Sequence, residues 1–482
     1  MASSSKKVCV VGAGVSGLVS ARELRREGHD VTVMEQSGGI GGQWLYDPRT
    51  DADDALGAHS SIYASLRLNT PRESTGFSDF PFAYPSNDDG AGDGRRYPGH
   101  AEFLRYIRRF CDAFGLMDAV RLNTKVLHVA PLAPRSHGDG VTRWTVRCSS
   151  RLGDCQDEAV TTEETFDAVV VAVGQFTQPR LPAINGMDKW SRRQLHSRSY
   201  RVPDSFENQV VVVVGCQASG VDIALELRTV ARDVHISVKS VDDDVAVSPG
   251  MRKAVSRHHN LHLHVQASFC CGLFVDIYNS PEDRQECMCL CRSIACARTG
   301  MWCSPMAPRW SPTPSSTAPG ERATSLYQMY VYSFPFLDTG GLVTVDDSCV
   351  GPLFEHTFPP ALAPALSFVG VPKKVVVPRF FEAQARWVAQ VLSGRRSLPP
   401  EAEMLRSAEE NNRARGKHLA HDILDDYDYC DDFGEKHCGF PRLEGWKKEL
   451  RWSSLARRHD STESFRDVYH DDSNLIREGF QA

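Results

Sequence analysis

Three glycines in KVCVVGAGVSGLVSARELRREGHDVTVMEQ, namely Gly12, Gly14 and Gly17, stand in GxGxxG spacing between an aliphatic strand pattern and a helix pattern. The chemistry such spacing permits is phosphate binding. Gly12 allows a tight turn, Gly14 lets the backbone approach a pyrophosphate, and Gly17 lets the helix pack closely on the strand. Ala13, Val15 and Ser16 complete the turn, and the helix N-terminus offers N–H groups and a positive dipole end to an anion. Glu35 lies twenty-three positions after Gly12, at the end of the next strand. A carboxylate there accepts hydrogen bonds from ribose hydroxyls.

The pattern returns in NQVVVVVGCQASGVDIALELRTVARDVHISVKS. Gly215 and Gly220 hold the outer positions, and Cys216, Gln217, Ala218 and Ser219 lie between them. Gln217 replaces the middle glycine, which predicts a looser or differently shaped backbone approach. Lys239 lies twenty-four positions after Gly215, in the register of Glu35. A carboxylate repels a ribose 2′-phosphate and a lysine attracts one, so the first turn suits FAD or NAD and the second suits NADP. The alternative for Lys239 is a solvated strand-end lysine.

The elements that must position these turns are two βαβ units, so the predicted fold class is α/β with two Rossmann-like dinucleotide-binding domains. FDAVVVAVGQFTQPRLP reads as a buried strand that ends at Gly174 and leaves through prolines, and PALSFVG reads as a late strand returning to the first domain. The FAD domain is then discontinuous, with an inserted NADP domain. The expected division is residues 1–180 and 331–440 for FAD, 181–330 for NADP and 441–482 as a polar C-terminal tail. No CxxC pair occurs in either unit, which removes the support for a disulfide reductase.

A net charge of −6, from 55 basic and 61 acidic side chains, gives no electrostatic case for nucleic acid as a partner. The longest aliphatic run, VVVVV at 210–214, falls far short of the roughly 20 residues that cross a bilayer. MASSSKKVCVVGAG leaves no room for a secretory leader, so a soluble cytoplasmic protein with reduced thiols is expected, without a membrane partner.

Longer segments carry a family resemblance. EQSGGIGGQWLYDP, SLRLNTPRESTGFSDFPF, RRYPGHAEFLRYIRRFCDAFGL, HSRSYRVP, YSFPFLDTGG, GPLFEHTFPP and CGFPRLEGW together resemble the flavin-containing monooxygenases, in their plant glucosinolate S-oxygenase-like branch. The family's FxGxxxHxxx motif, followed by Tyr or Phe, falls on WSRRQLHSRSY. His196 and Tyr200 match it, whereas Trp190 and Arg192 depart from it. The resemblance implies a reaction in which NADPH reduces FAD, molecular oxygen adds to the flavin, and a C4a-hydroperoxyflavin oxygenates a soft nucleophile. The implied substrate is a small thioether, oxidised to a sulfoxide. N-oxygenation of an amine is the alternative, and a catalytically dead flavoprotein scaffold is the reading from outside the enzymes. No metal is implied. Asn69 in LRLNTPRE matches the family asparagine beside the oxygen-reacting edge of the flavin, which implies a catalytic role, and Gly42 and Trp44 in GGQW match the loop covering the flavin.

The resemblance stops near Gln266 and resumes at Tyr332. Between them lie seven cysteines, including ECMCLCRSIAC, and the run APRWSPTPSSTAPGE. Their CxCxC spacing does not fit the CxxC pairs of common zinc sites. Synonymous codons for Ala297–Gly320 can be chosen so that reading from the third base gives EDGHVVFADGSPVVADSIIYCTG, which is the segment the family has here. Residues 268–330 are therefore expected to derive from retained intron and an out-of-frame exon, to be disordered, and to leave the NADP domain short of strands.

Overall fold

Valine-rich runs build the two parallel sheets, because β-branched side chains fit a pleated surface covered on both faces. The computed structural model describes residues 5–49, 60–85, 92–132, 143–151, 159–176, 178–180, 193–238, 246–265, 323–327, 329–346, 349–415, 421–423, 427–469, 474 and 476. The chain divides into two units. One comprises Met1–Pro179, Tyr330–Leu455 and Arg466–Ala482, and the other comprises Arg180–Met329 and Ala456–Phe465.

In the first unit β1 (Lys7–Val11), α1 (Val15–Arg26) and β2 (Asp30–Met34) form the first βαβ core. Five strands lie in the order β17 (Leu366–Phe368), β7 (Ala168–Val171), β1, β2 and β3 (Val120–Arg121), all parallel. Val8 pairs with Val31 on one side and Ala168 on the other, so β1 is central. Val8, Cys9 and Val10 are fully buried. One face of the sheet packs in a cluster with Leu18 and Leu24 of α1, Phe103 and Phe110 of α2 (His100–Ala113), and Phe380 and Trp387 of α5 (Arg379–Leu392). The other face packs on β4 (Thr124–Pro131), β5 (Trp144–Arg151) and β6 (Ala159–Phe166), an antiparallel sheet that contributes Trp144 and Phe166.

β8 (Gln178–Arg180) and β14 (Met329–Val331) mark where the chain leaves this unit and returns. β15 (Thr344–Asp346) and β16 (Cys349–Gly351) pair as a hairpin. α6 (Glu401–Arg415) and α7 (Tyr427–Cys438) follow α5. The polar tail expected over residues 441–482 contains a helix. α8 (Gly445–Asp460) forms there, with Leu450 and Ser454 buried, because one face of GWKKELRWSSLARRHD is apolar or small enough to bury while its charges stay outside.

The second unit is a parallel sheet in the order β12 (Leu261–Val265), β11 (Asp233–Val238), β10 (Val210–Val214), β13 (Ala323–Tyr327) and β9 (Arg193–His196). α3 (Ala218–Leu227) follows β10, and α4 (Pro249–Arg257) is capped by Ser248, whose Oγ accepts from Met251 N at 3.2 Å. β13 corrects part of the expectation for residues 268–330. Val210 pairs with Ala323 and Arg193 with Thr324, so 323–327 does supply a sheet strand. A parallel ladder is made by backbone groups, and ATSLY holds the β-branched and aromatic residues that tolerate it. Residues 268–322, with all seven clustered cysteines, lie outside the described residues. No helix among the described residues is long and apolar enough to cross a membrane.

Candidate functional site

The first glycine turn is built by close backbone contact. Gly12 has φ +103°, and a Cβ there would lie 2.8 Å from Ala172 O. At Gly17 a Cβ would lie 1.8 Å from Gly12 O, so no side chain fits between helix and turn. Gly14 precedes α1 with extended backbone, and the first turn of α1 carries no acidic residue to repel a phosphate. Gly12 N donates to Met34 O at 2.9 Å, which pins the turn to the end of β2.

Glu35 is buried beside this turn. Its Oε2 accepts from Ala13 N at 2.8 Å, and its Oε1 accepts from Ser37 N at 2.8 Å and Ser37 Oγ at 2.7 Å. Two donors occupy Oε1, whereas Oε2 has one, so Oε2 retains a lone pair for a ribose hydroxyl. The GGQW loop lies against the same turn. Gly41 N donates to Ala13 O at 2.9 Å, and a Cβ on Gly42 would come within 3.0 Å of Gly14 Cα. Trp44 stands edge-on to Phe103 of α2, with ring centroids 4.6 Å apart.

These residues enclose a cavity of about 250 Å³ lined by Gly12, Gly14, Val15, Ser16, Glu35, Gly42, Trp44 and Gly174, all expected from the sequence. Gly41 of the same GGQW loop lines it as well, and so do Gln43, Ala172, Val173, Gln175, Phe176, Gly370, Val377 and Phe381. A second cavity of about 310 Å³ shares Gly12, Glu35 and Val173 and runs past Gln36, Lys125 and Phe336. A glycine cradle that a Cβ would fill, an acid-free helix N-terminus and an oriented buried carboxylate fit FAD: the turn for its pyrophosphate, Glu35 for its ribose. Gly370 and Phe381 were missed from the sequence. The signal available for Gly370 was its place at the end of PALSFVG, whereas Phe381 reaches the cavity from the apolar face of α5, which sequence spacing does not reveal.

Asn69 is not among the lining residues of these cavities. Its Oδ1 accepts from Arg466 Nη2 at 2.6 Å. It belongs to the segment that begins at Ser60, whose Oγ donates to the carbonyl of the lining residue Gln43 at 2.9 Å.

The second turn has the same backbone as the first. Gly215 has φ +102° and its N donates to Ser237 O at 2.9 Å, matching Gly12 and Met34. Gln217 precedes α3 with φ −84° and ψ −176°, against −78° and −172° at Gly14. The middle position is therefore extended backbone that any residue adopts, and the Gln217 side chain is exposed. The turn is nonetheless the more open of the two among the described residues, since a Cβ on Gly215 would meet nothing within 4 Å where one on Gly12 would lie 2.8 Å from Ala172 O. Ala218 and Ser219 open α3, whose first turn also lacks an acid, and Gly220 is buried. Burial pushes the Cys216 thiol up to about 11, which keeps it protonated at neutral pH and unreactive.

His196 ends β9 and is buried, with Nδ1 accepting from Arg198 N at 3.1 Å. Tyr200 is buried, and its hydroxyl donates to Glu226 Oε2 on α3 at 2.6 Å, so the motif tyrosine holds the helix that follows the glycine turn. Trp190, Arg192 and Lys239 lie outside the described residues. No group of three metal-ligating side chains that could hold an ion occurs among the described residues.

The family model for flavin-binding monooxygenase-like proteins matches residues 5–243 and 324–438. The chain is 44% identical over 496 residues to flavin-containing monooxygenase FMO GS-OX-like 9 of Arabidopsis thaliana, an alignment covering 100% of this chain and 96% of that protein. It is likewise 44% identical to FMO GS-OX-like 8 of the same plant, over 99% and 95% of the two chains. Among solved structures it resembles S-allyl-L-cysteine S-oxygenase from Allium sativum, with 36% identity, a TM-score of 0.79, and 100% and 99% coverage. The chain belongs to the flavin-binding monooxygenase-like family and is an enzyme that uses FAD and NADPH.

Proposed function

We propose that the protein oxygenates the sulfur of a small thioether to a sulfoxide. The observation that carries this reading is end-to-end similarity, at 36% identity, to an enzyme named for S-oxygenation of S-allyl-L-cysteine. Overall, NADPH, a proton, O2 and the thioether give NADP+, water and the sulfoxide. FAD supplies the oxygen-activating chemistry when bound.

The chain's residues bind and orient. The Gly12–Gly17 turn holds the FAD pyrophosphate, Glu35 Oε2 accepts a ribose hydroxyl, and Gly42, Trp44 and Gly174 wall the cavity. Gly215–Gly220 and Lys239 receive NADPH, with His196 and Tyr200 supporting that turn from β9 and its following loop. Asn69 donates a hydrogen bond to the reacting edge of the flavin through its amide. The protein acts in the cytoplasm.

Purified protein given NADPH and a panel of small thioethers and amines tests the reading by mass spectrometry of single-oxygen products. Sulfoxides are expected. N-oxides alone would replace the thioether reading with amine oxygenation, and a folded, colourless protein without turnover would favour the scaffold. The family model leaves 244–323 unmatched, in keeping with an aberrant message over most of 268–330. Spliced cDNA across this region is expected to lack the CMCLC codons, and an in-frame transcript containing them would overturn that origin.

A further inference from the structure

The C-terminal segment that re-enters the first unit at Arg466 is hydrogen-bonded to the segment bearing Asn69. The contacts are reciprocal. Arg466 Nε donates to Leu68 O at 3.1 Å and its Nη2 to Asn69 Oδ1 at 2.6 Å. In the opposite direction, Arg67 Nη1 pairs with Asp467 Oδ1 at 2.8 Å and Arg67 Nη2 reaches Arg466 O at 3.3 Å, while its Nε is held by Tyr97 O at 2.9 Å. Beyond them Arg96 lies over the Tyr469 ring, 4.3 Å from its centroid, and donates to Tyr469 O at 3.3 Å. The clasp thus takes in Arg466, Asp467 and Tyr469 and is anchored at 67, 68, 69 and 96.

A guanidinium donates only, so the group of Asn69 that faces Arg466 must be the amide oxygen. The two ends of a planar carboxamide lie on opposite sides of Cγ. Holding the oxygen at Arg466 therefore turns the NH2 the other way and excludes the flipped amide, which would set donor against donor. An asparagine that is to donate to a cofactor needs this definition, since its side chain otherwise offers an acceptor as readily as a donor.

We propose that Arg466 is a positioning residue, which fixes the Asn69 amide so that its NH2 is the end presented to the flavin. This rests on the reading of Asn69 given above. Arg466→Met, Arg466→Lys, Asn69→Ala and the Arg466→Met/Asn69→Ala double variant are compared in two measurements: the visible spectrum of FAD bound to the resting protein, and hydrogen peroxide released per NADPH oxidised in the presence of a thioether. Asn69→Ala and Arg466→Met are expected to shift the bound-FAD spectrum in the same sense and to raise the peroxide fraction by about tenfold, the worth of one charge-assisted hydrogen bond. The double variant should match Asn69→Ala, and Arg466→Lys, which keeps one donor, should recover part of the loss.

A defective Asn69→Ala beside a normal Arg466→Met would leave the role of Asn69 standing and overturn that of Arg466. A normal Asn69→Ala would overturn both. Losses that add in the double variant would make the clasp a structural strap and overturn positioning as well.

Discussion

Glu35 ties the fold to the proposed FAD site through one side chain. Its carboxylate ties the glycine turn to the end of β2 through Ala13 and Ser37, and the remaining lone pair on Oε2 faces the cavity. Glu35→Gln replaces one acceptor oxygen with a donor, so a backbone N–H or the ribose loses its partner. The dissociation constant for FAD, measured by fluorescence quenching on apoprotein, is expected to rise by about tenfold or more. An unchanged constant would remove Glu35 from ribose binding. Gly17 was legible without coordinates, because GxGxxG before a helix has few physical solutions, and the 1.8 Å approach to Gly12 O shows why. Gln217 fits the middle position of the second turn because that position is extended backbone, which any residue adopts.

α1 follows the first glycine turn, and a buried ionic network fixes where that helix lies. Arg22 is buried, with Nη2 donating to Glu382 Oε1 of α5 at 2.5 Å and Nη1 to Asp79 Oδ1 at 2.7 Å. The rings of Phe77, Phe110 and Phe114 surround the guanidinium at 5.0–5.4 Å. Glu382 also accepts from Ser78 N and Ser78 Oγ, so α1, α5 and the 77–79 loop share one carboxylate. Glu382→Ala removes one of three carboxylates around Arg22, leaving Glu23 at 2.8 Å and Asp79 at 2.7 Å, and strips Ser78 of its acceptor, so it is expected to cost about 1–3 kcal/mol in urea unfolding. A loss under about 1 kcal/mol in Glu382→Ala would show that the network carries no such weight. Nothing in either sequence segment signals the pair, because its members lie 360 positions apart.

The stability of the whole protein should depend on pH through two buried imidazoles. His356 and His421 meet at 3.0 Å between their Nδ1 atoms. Burial, then the neighbouring His421, pushes His356 down to about 3, and burial pushes His421 down to about 4. Both stay neutral when folded, whereas an unfolded histidine takes up a proton near pH 6.5. The unfolded state therefore binds more protons below about pH 6.5. Stability is complete above that value and falls as pH drops toward the folded values. At pH 5 each imidazole should cost about 2 kcal/mol relative to pH 7. Urea midpoints at the two pH values measure this, and equal midpoints would contradict the neutral buried pair.

Local chemistry made the two βαβ units, the buried carboxylate after β2 and the order of the chain readable from residues alone, since strand, turn and helix patterns act over a few neighbouring positions. Folding settled what joins distant positions: Phe381 and Gly370 at the cavity wall, Glu382 under Arg22, β13 between β9 and β10, and Arg466 on Asn69. Such contacts depend on where whole elements pack, and neither periodicity nor spacing encodes which side chains, hundreds of residues apart, that packing will bring together.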